Sequence, residues 1–106
     1  MMETTRKQIA TRNLLYSPIG ESTRQKLTIR IVGPYLLTPG SVSFVFDEGT
    51  AGCDIEFDGL PQKTISVYGA DTLQALQLAV DIDPYLRGLS RKYDFFFDNG
   101  DSYLDD

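Results

Sequence analysis

The first part of the chain alternates between apolar and polar residues over two stretches, which we interpret as a β-hairpin. Residues 4–16 and 23–32 are the predicted strands, and turn-forming residues connect them. The apolar residues of the second stretch keep one phase, whereas those of the first stretch change phase after Ile9, which predicts a β-bulge or an edge position. Because proline cannot donate to a strand ladder, we expect Gly33-Pro34 to end the hairpin.

Three more stretches continue the alternation and predict a β-meander. They cover residues 42–46, 53–57 and 64–68, and turn-forming residues separate them. Apolar side chains at every second position are typical of a sheet that has one face covered and the other face in water. We therefore expect an antiparallel sheet that needs a cover on one side.

Residues 71–83 predict the helix that provides this cover. Asp71 is suited to cap its N-terminus, and the few polar residues that follow form only a narrow stripe. We therefore expect the helix to be buried over most of its circumference, with Leu73, Leu76 and Val80 in the core.

The remaining residues return the chain to the sheet. A short second helical segment is expected over residues 84–89, and the aromatic stretch 93–98 predicts another strand. Residues 102–104 are suited to a last short strand. Residues 1–106 are thus expected to form a single α+β domain. It has one antiparallel sheet of about six strands packed against one main helix, in the order β-β-β-β-β-α-β.

The composition removes most catalytic and metal-binding classes. The chain of 106 residues has no histidine and one cysteine, which excludes Ser-His-Asp and Cys-His catalysis, histidine metal sites and intramolecular disulfides. Cys53 is in phase with Ile55 and Phe57, so we interpret it as a buried structural residue rather than a nucleophile. Neither a glycine-rich phosphate loop nor an EF-hand loop is present. We expect no enzymatic activity, no metal and no cofactor.

The charge is unevenly distributed, although the net value is only −5. Residues 1–40 carry six Lys and Arg against two Glu, a net charge of +4, whereas residues 41–106 carry four against thirteen carboxylates, a net charge of −9. An acidic half repels nucleic-acid phosphates and favours a basic protein partner. The alternative is that the acidic surface only keeps the protein in solution.

The chain carries no sign of a membrane or export segment. No apolar run approaches the ~20 residues of a membrane span, and the N-terminus lacks the apolar stretch of a signal peptide. We expect a cytoplasmic monomer that binds neither membrane nor nucleic acid.

Residues 68–79 carry a motif that resembles a known family. Their sequence, Tyr-Gly-Ala-Asp-Thr-Leu-Gln-Ala-Leu-Gln-Leu-Ala, is similar to the Tyr-Gly-x-Asp-Ser-Leu-Gln-Ala-Leu-Gln-Leu-Ala junction of a small bacterial domain family of unknown function. Residues 53–59 match the place of that family's cysteine-containing strand, so the resemblance covers about residues 52–86. Thr72 replaces the usual serine, and the family's tryptophans are absent. The resemblance implies a protein of the kind found beside polymorphic toxins, including immunity proteins of contact-dependent inhibition systems.

The candidate partner-binding residues combine carboxylates with two aromatic side chains. They are Asp54, Glu56, Asp58, Asp94, Phe96, Asp98, Asp101, Tyr103 and Asp105. The first three are expected as a solvated row on one strand face. Phe96 is expected to be either covered by the N-terminal hairpin or exposed for a partner. Tyr103 has no evident core role. Phe96 and Tyr103 are therefore the candidate aromatic anchors.

Two functions follow from these residues. The first is an immunity protein that binds and neutralises a cognate, basic bacterial toxin domain. The second is a non-enzymatic small-ligand-binding or housekeeping domain whose acidic surface has no partner.

Overall fold

One antiparallel sheet, covered on one face by helices, organises residues 6–104, the part of the chain that the computed structural model describes. The elements in chain order are β1 (Gln8–Pro18), β2 (Gln25–Leu36), β3 (Ala51–Asp58), β4 (Ile65–Gly69), α1 (Thr72–Val80), α2 (Asp83–Leu89) and β5 (Tyr93–Phe96). The strand order is β4-β3-β2-β1-β5, and every neighbouring pair is antiparallel. The expected α+β class is confirmed, with a sheet of five strands.

The core lies between the helices and the sheet face that carries the alternating apolar residues. Its largest fully buried side chains are those of Leu14, Leu27, Ile29, Cys53, Ile55 and Leu86. The expected phase of residues 53–57 is confirmed, because Cys53, Ile55 and Phe57 all belong to the core cluster. We call the opposite face, which is turned away from α1 and α2, the open face.

The prediction of a strand at residues 42–46 is wrong, as is the expected end of the hairpin at Gly33-Pro34. β2 runs on through this dipeptide, and Tyr35 pairs directly with Gly52 of β3. The pairing of β2 with β3 shifts register between Val32 and Tyr35, so the missing N–H of Pro34 falls in an irregularity rather than in a regular ladder. Since β2 and β3 pair with each other, no edge is left between them for residues 42–46.

The expected bulge in the first strand is confirmed. The register between β1 and β2 shifts between Gln8 and Ala10, on either side of Ile9. β5 pairs with β1 only over Leu15–Pro18.

The start of α1 is as expected, but its buried face is different. The Asp71 carboxylate accepts a hydrogen bond from the Gln74 N–H at 2.8 Å, which satisfies one free donor of the first turn. Leu73 and Val80, expected in the core, are 63% and 52% exposed. Ala75 and Ala79 face the sheet instead.

The close approach of β4 to α1 explains why small residues occupy the helix face. A Cβ atom placed on Gly69 would lie 2.6 Å from the Ala75 backbone nitrogen. Only glycine allows this spacing, and alanines on α1 maintain it along the helix. The larger side chains are therefore displaced to the flanks of α1.

The C-terminal region contains less strand than expected. β5 ends at Phe96, and the predicted strand at residues 102–104 is reduced to an isolated bridge between Phe96 and Ser102.

Candidate partner-binding site

The candidate residues fall into two groups on the sheet. One group lies on β3, and the other lies on β5 and in the residues that follow it. β2 and β1 stand between them, so the groups are about 14 Å apart at the usual strand spacing. Asp105 lies outside the described residues.

Asp54 is not solvated, which contradicts the expected row of wet carboxylates on β3. It is 6% exposed and accepts hydrogen bonds from three side chains. Arg6 Nη1 donates to Oδ2 at 2.8 Å, and Tyr35 Oη and Ser66 Oγ donate to Oδ1 at 2.7 and 2.8 Å. A buried carboxylate requires such partners. The Asp54 carboxylate therefore has a structural role.

Burial and the Asp54 charge also act on two neighbouring groups. Burial, the hydrogen bond to Asp54 and the negative charge of Asp54 raise the pKa of Tyr35 to about 12. The guanidinium of Arg6 lies over the Tyr35 ring, 3.8 Å from its centroid. Burial and the charge of Asp54 likewise raise the pKa of Cys53. A raised thiol pKa disfavours the thiolate, in keeping with a structural role.

The rest of the β3 row is also partly neutralised. Asp58 is exposed and forms an ion pair with Arg30 Nη2 at 2.9 Å. Glu56 is half-buried and lies directly opposite Arg30 in the strand register. The β3 carboxylates therefore present little unpaired negative charge on the open face.

The carboxylates beyond β3 have a different environment. Asp94, Asp98 and Asp101 are exposed, and within residues 6–104 none of the three forms an ion pair. The turn that carries the last two is fixed by a backbone bond from the Phe97 N–H to the Asp101 carbonyl at 2.8 Å. We call these three residues the acidic edge. Lys26 lines the same hollow as Asp98 and Arg24 bonds to Gly100 beside Asp101, but neither pairs with an edge carboxylate within residues 6–104.

Phe96 is covered by the hairpin, the first of the two expected alternatives. It is half-buried, and the Arg24 guanidinium lies 3.7 Å from its ring centroid. Arg24 also donates to the Gly100 carbonyl at 3.3 Å. One face of the Phe96 ring is therefore already occupied.

Tyr103 has an internal role that its sequence position did not indicate. It packs against the core, and its hydroxyl accepts from Arg12 Nη1 and donates to Asp83 Oδ1, both at 2.6 Å. Burial and the bond to Asp83 raise its pKa. Tyr103 joins β1 to the start of α2, so the expectation that it lacks a core role is wrong.

A second group of exposed side chains was missed at the sequence level. Phe44 packs edge-to-face against Tyr68, with ring centroids 5.0 Å apart, and Val45 is 100% exposed. The alternation of apolar residues over 42–46 is the available sequence signal, but alternation predicts a strand and not an exposed loop.

Within residues 6–104, no three Asp, Glu or Cys side chains converge to hold a metal ion. In the same part of the chain, no helix is long and apolar enough to cross a membrane.

Comparison of the chain with protein-family models, with curated proteins and with solved structures finds no match.

Proposed function

We propose that this chain is a protein-binding module that neutralises a basic partner, namely a bacterial toxin domain for which the chain is the immunity protein. The observation that carries the proposal is the acidic edge, whose three carboxylates are exposed and form no ion pair within residues 6–104. Elsewhere on the open face the charges of Asp54 and Asp58 are paired with arginines.

Unpaired carboxylates grouped at one edge are more typical of a protein-binding surface than of an acidic surface that only keeps the protein in solution. They attract a basic domain over a long range and align it before contact. On contact they can occupy a cleft that otherwise holds phosphate groups. The resemblance of residues 68–79 to toxin-linked proteins supports the choice of a toxin domain as the partner.

Co-expression with the polypeptide encoded by the adjacent gene tests the proposal. We expect the two chains to co-purify, and we expect the present chain to restore growth of cells that express that polypeptide. Failure of both assays with the wild-type chain contradicts the proposal.

A matched pair of variants separates the acidic edge from acidity in general. Asp94→Asn with Asp98→Asn removes two charges from the edge, whereas Glu21→Gln with Asp81→Asn removes two exposed charges elsewhere. We expect the first variant to lose protection and the second to keep it.

A further inference from the structure

The opposite edge of the open face carries a cluster of exposed apolar side chains that the acidic edge does not explain. It consists of Phe44, Val45 and Tyr68, which we call the loop surface. Phe44 contacts both Tyr68 and Phe46, with ring centroids 5.0 and 6.3 Å apart. Phe44 is 43% exposed and Val45 is fully exposed. Clustered exposed apolar residues of this kind are typical of interaction sites.

The loop surface is built by the connection between β2 and β3. Residues 37–50 contain no helix or strand, and the Leu37 N–H donates to the Thr50 carbonyl at 2.9 Å, which closes the loop at its base. The loop, β4 and the start of α1 enclose a shallow hollow lined by Phe44, Val45, Tyr68 and Gln74 among others. Long loops with closed ends are frequently functional.

Charge identifies the kind of partner that fits this surface. Asp47 lines the hollow and Glu48 follows it, and neither forms an ion pair within the described residues. Among residues 31–86 the only Lys or Arg is Lys63, which lies beyond the far end of β4, about 16 Å from Tyr68 at the usual strand rise. Arg6 lies near Thr38 and Ser41 at the base of the loop, but its charge is paired with Asp54. A second copy that docked through its own loop surface would bring like charges together, and an anionic lipid surface would be repelled. A basic protein surface is complementary.

We infer that the loop surface provides the uncharged anchors for the basic partner, with Phe44 and Val45 inserting into an apolar hollow on it. This inference rests on the proposed function. Tyr68 and Asp94 both lie on the open face. In the strand register they alternate in the same phase as Asp54. Four strand spacings separate β4 from β5, about 19 Å. An interface of about 800 Å² per partner spans that distance.

Val45→Ser is the direct test, because a fully exposed side chain contributes little to folding. Val80→Ser is the matched control, since Val80 is partly exposed on α1, on the other side of the sheet. Affinity for the polypeptide encoded by the adjacent gene is measured for both variants and the wild type, after circular dichroism and melting show that each is folded. We expect Val45→Ser to weaken binding at least tenfold, mainly through faster dissociation, and Val80→Ser to change it less than twofold.

The possible outcomes are distinct. Equal affinities of the two variants overturn this inference and leave the proposed function standing. Absence of wild-type binding overturns the proposed function and this inference with it. A third arm uses phosphatidylcholine vesicles that contain phosphatidylglycerol. If the wild type binds these vesicles and Val45→Ser does not, the loop surface recognises a lipid surface instead. That result overturns the inference.

Discussion

Asp54 shows how the role of a single carboxylate is decided by its surroundings. It shares a strand and a face with Asp58, yet it is buried under three donors while Asp58 remains exposed. Two aspartates in the same alternating phase therefore have different roles, because Asp54 is buried and hydrogen-bonded whereas Asp58 is exposed.

We expect Asp54→Ala to destabilise the fold by about 2 to 3 kcal/mol, because it leaves the Tyr35 hydroxyl and the Arg6 guanidinium without their acceptor. Asp58→Ala removes an exposed ion pair and should cost less than about 1 kcal/mol. Urea denaturation of the two variants measures both values. Equal losses contradict the internal role of Asp54.

The pKa of Tyr35 gives a second test at this scale. Since its folded-state pKa is raised to about 12, above the value near 10 of an unfolded chain, the neutral phenol is favoured in the fold. The stability that this group contributes is therefore complete below about pH 10 and is lost as the pH rises towards 12. The difference in absorbance titration between the wild type and Tyr35→Phe is expected to have its midpoint near 12. A midpoint near 10 contradicts the burial of this hydroxyl beside Asp54.

At the scale of elements, the junction between β4 and α1 depends on how closely the two approach. The Asp71 cap sets where α1 begins, and the absence of a side chain at Gly69 sets how near the helix lies to the sheet. Both residues belong to the motif at 68–79, which is therefore first of all a structural motif.

Gly69→Ala is expected to destabilise the protein by about 1 to 3 kcal/mol, because the new methyl group would overlap the backbone of Ala75. Gly88→Ala in α2 is the control, since a Cβ there meets nothing within 4 Å. It should stabilise the protein by about 0.5 to 1 kcal/mol through helix propensity. Thermal or urea unfolding of both variants checks these opposite signs, and a neutral Gly69→Ala contradicts the tight junction.

The elements also show what sequence patterns can predict. Alternation within one strand is a local property, so the buried faces of β2 and β3 could be predicted from their own residues. Pairing is not local. Residues 42–46 alternate as well, but Tyr35 and Leu36 already pair with Gly52 and Ala51. The flanks of α1 were mistaken for its core face because composition does not reveal how near a helix lies to its sheet.

The candidate site follows the same division. The exposure of Asp98 and Asp101 follows from a turn sequence and could be predicted. The burial of Asp54 could not, since its donors Arg6, Tyr35 and Ser66 lie 48, 19 and 12 residues away in the chain. The contacts of Phe96 and Tyr103 are equally long-range. The sequence therefore left both alternatives open for Phe96 and did not indicate the core role of Tyr103.

At the scale of the whole molecule, the charge distribution should govern how fast a partner arrives. Association with the proposed basic partner is expected to slow steeply as salt is added, because the Debye length falls from about 30 Å at 0.01 M to about 3 Å at 1 M. Dissociation should change little. Stopped-flow kinetics over a salt series measures both rates.

Charge reversal identifies which carboxylates are responsible. Asp98→Lys with Asp101→Lys is expected to slow association by tenfold or more at low salt, whereas Glu21→Lys should have a smaller effect. Association rates that change neither with salt nor with these charge reversals contradict electrostatic steering by the acidic edge.

The hydrogen bond that closes the loop at Leu37 and Thr50 bears on how such a protein can diverge. Residues 38–49 leave and rejoin the sheet at one point. The entropic free-energy cost of closing a loop rises by only about 0.6 kcal/mol for each doubling of its length. Insertions, deletions and replacements there leave the framework nearly as stable as before. Descendants of this chain can therefore exchange the residues of the loop surface while inheriting the same core, so this surface can evolve faster than the fold.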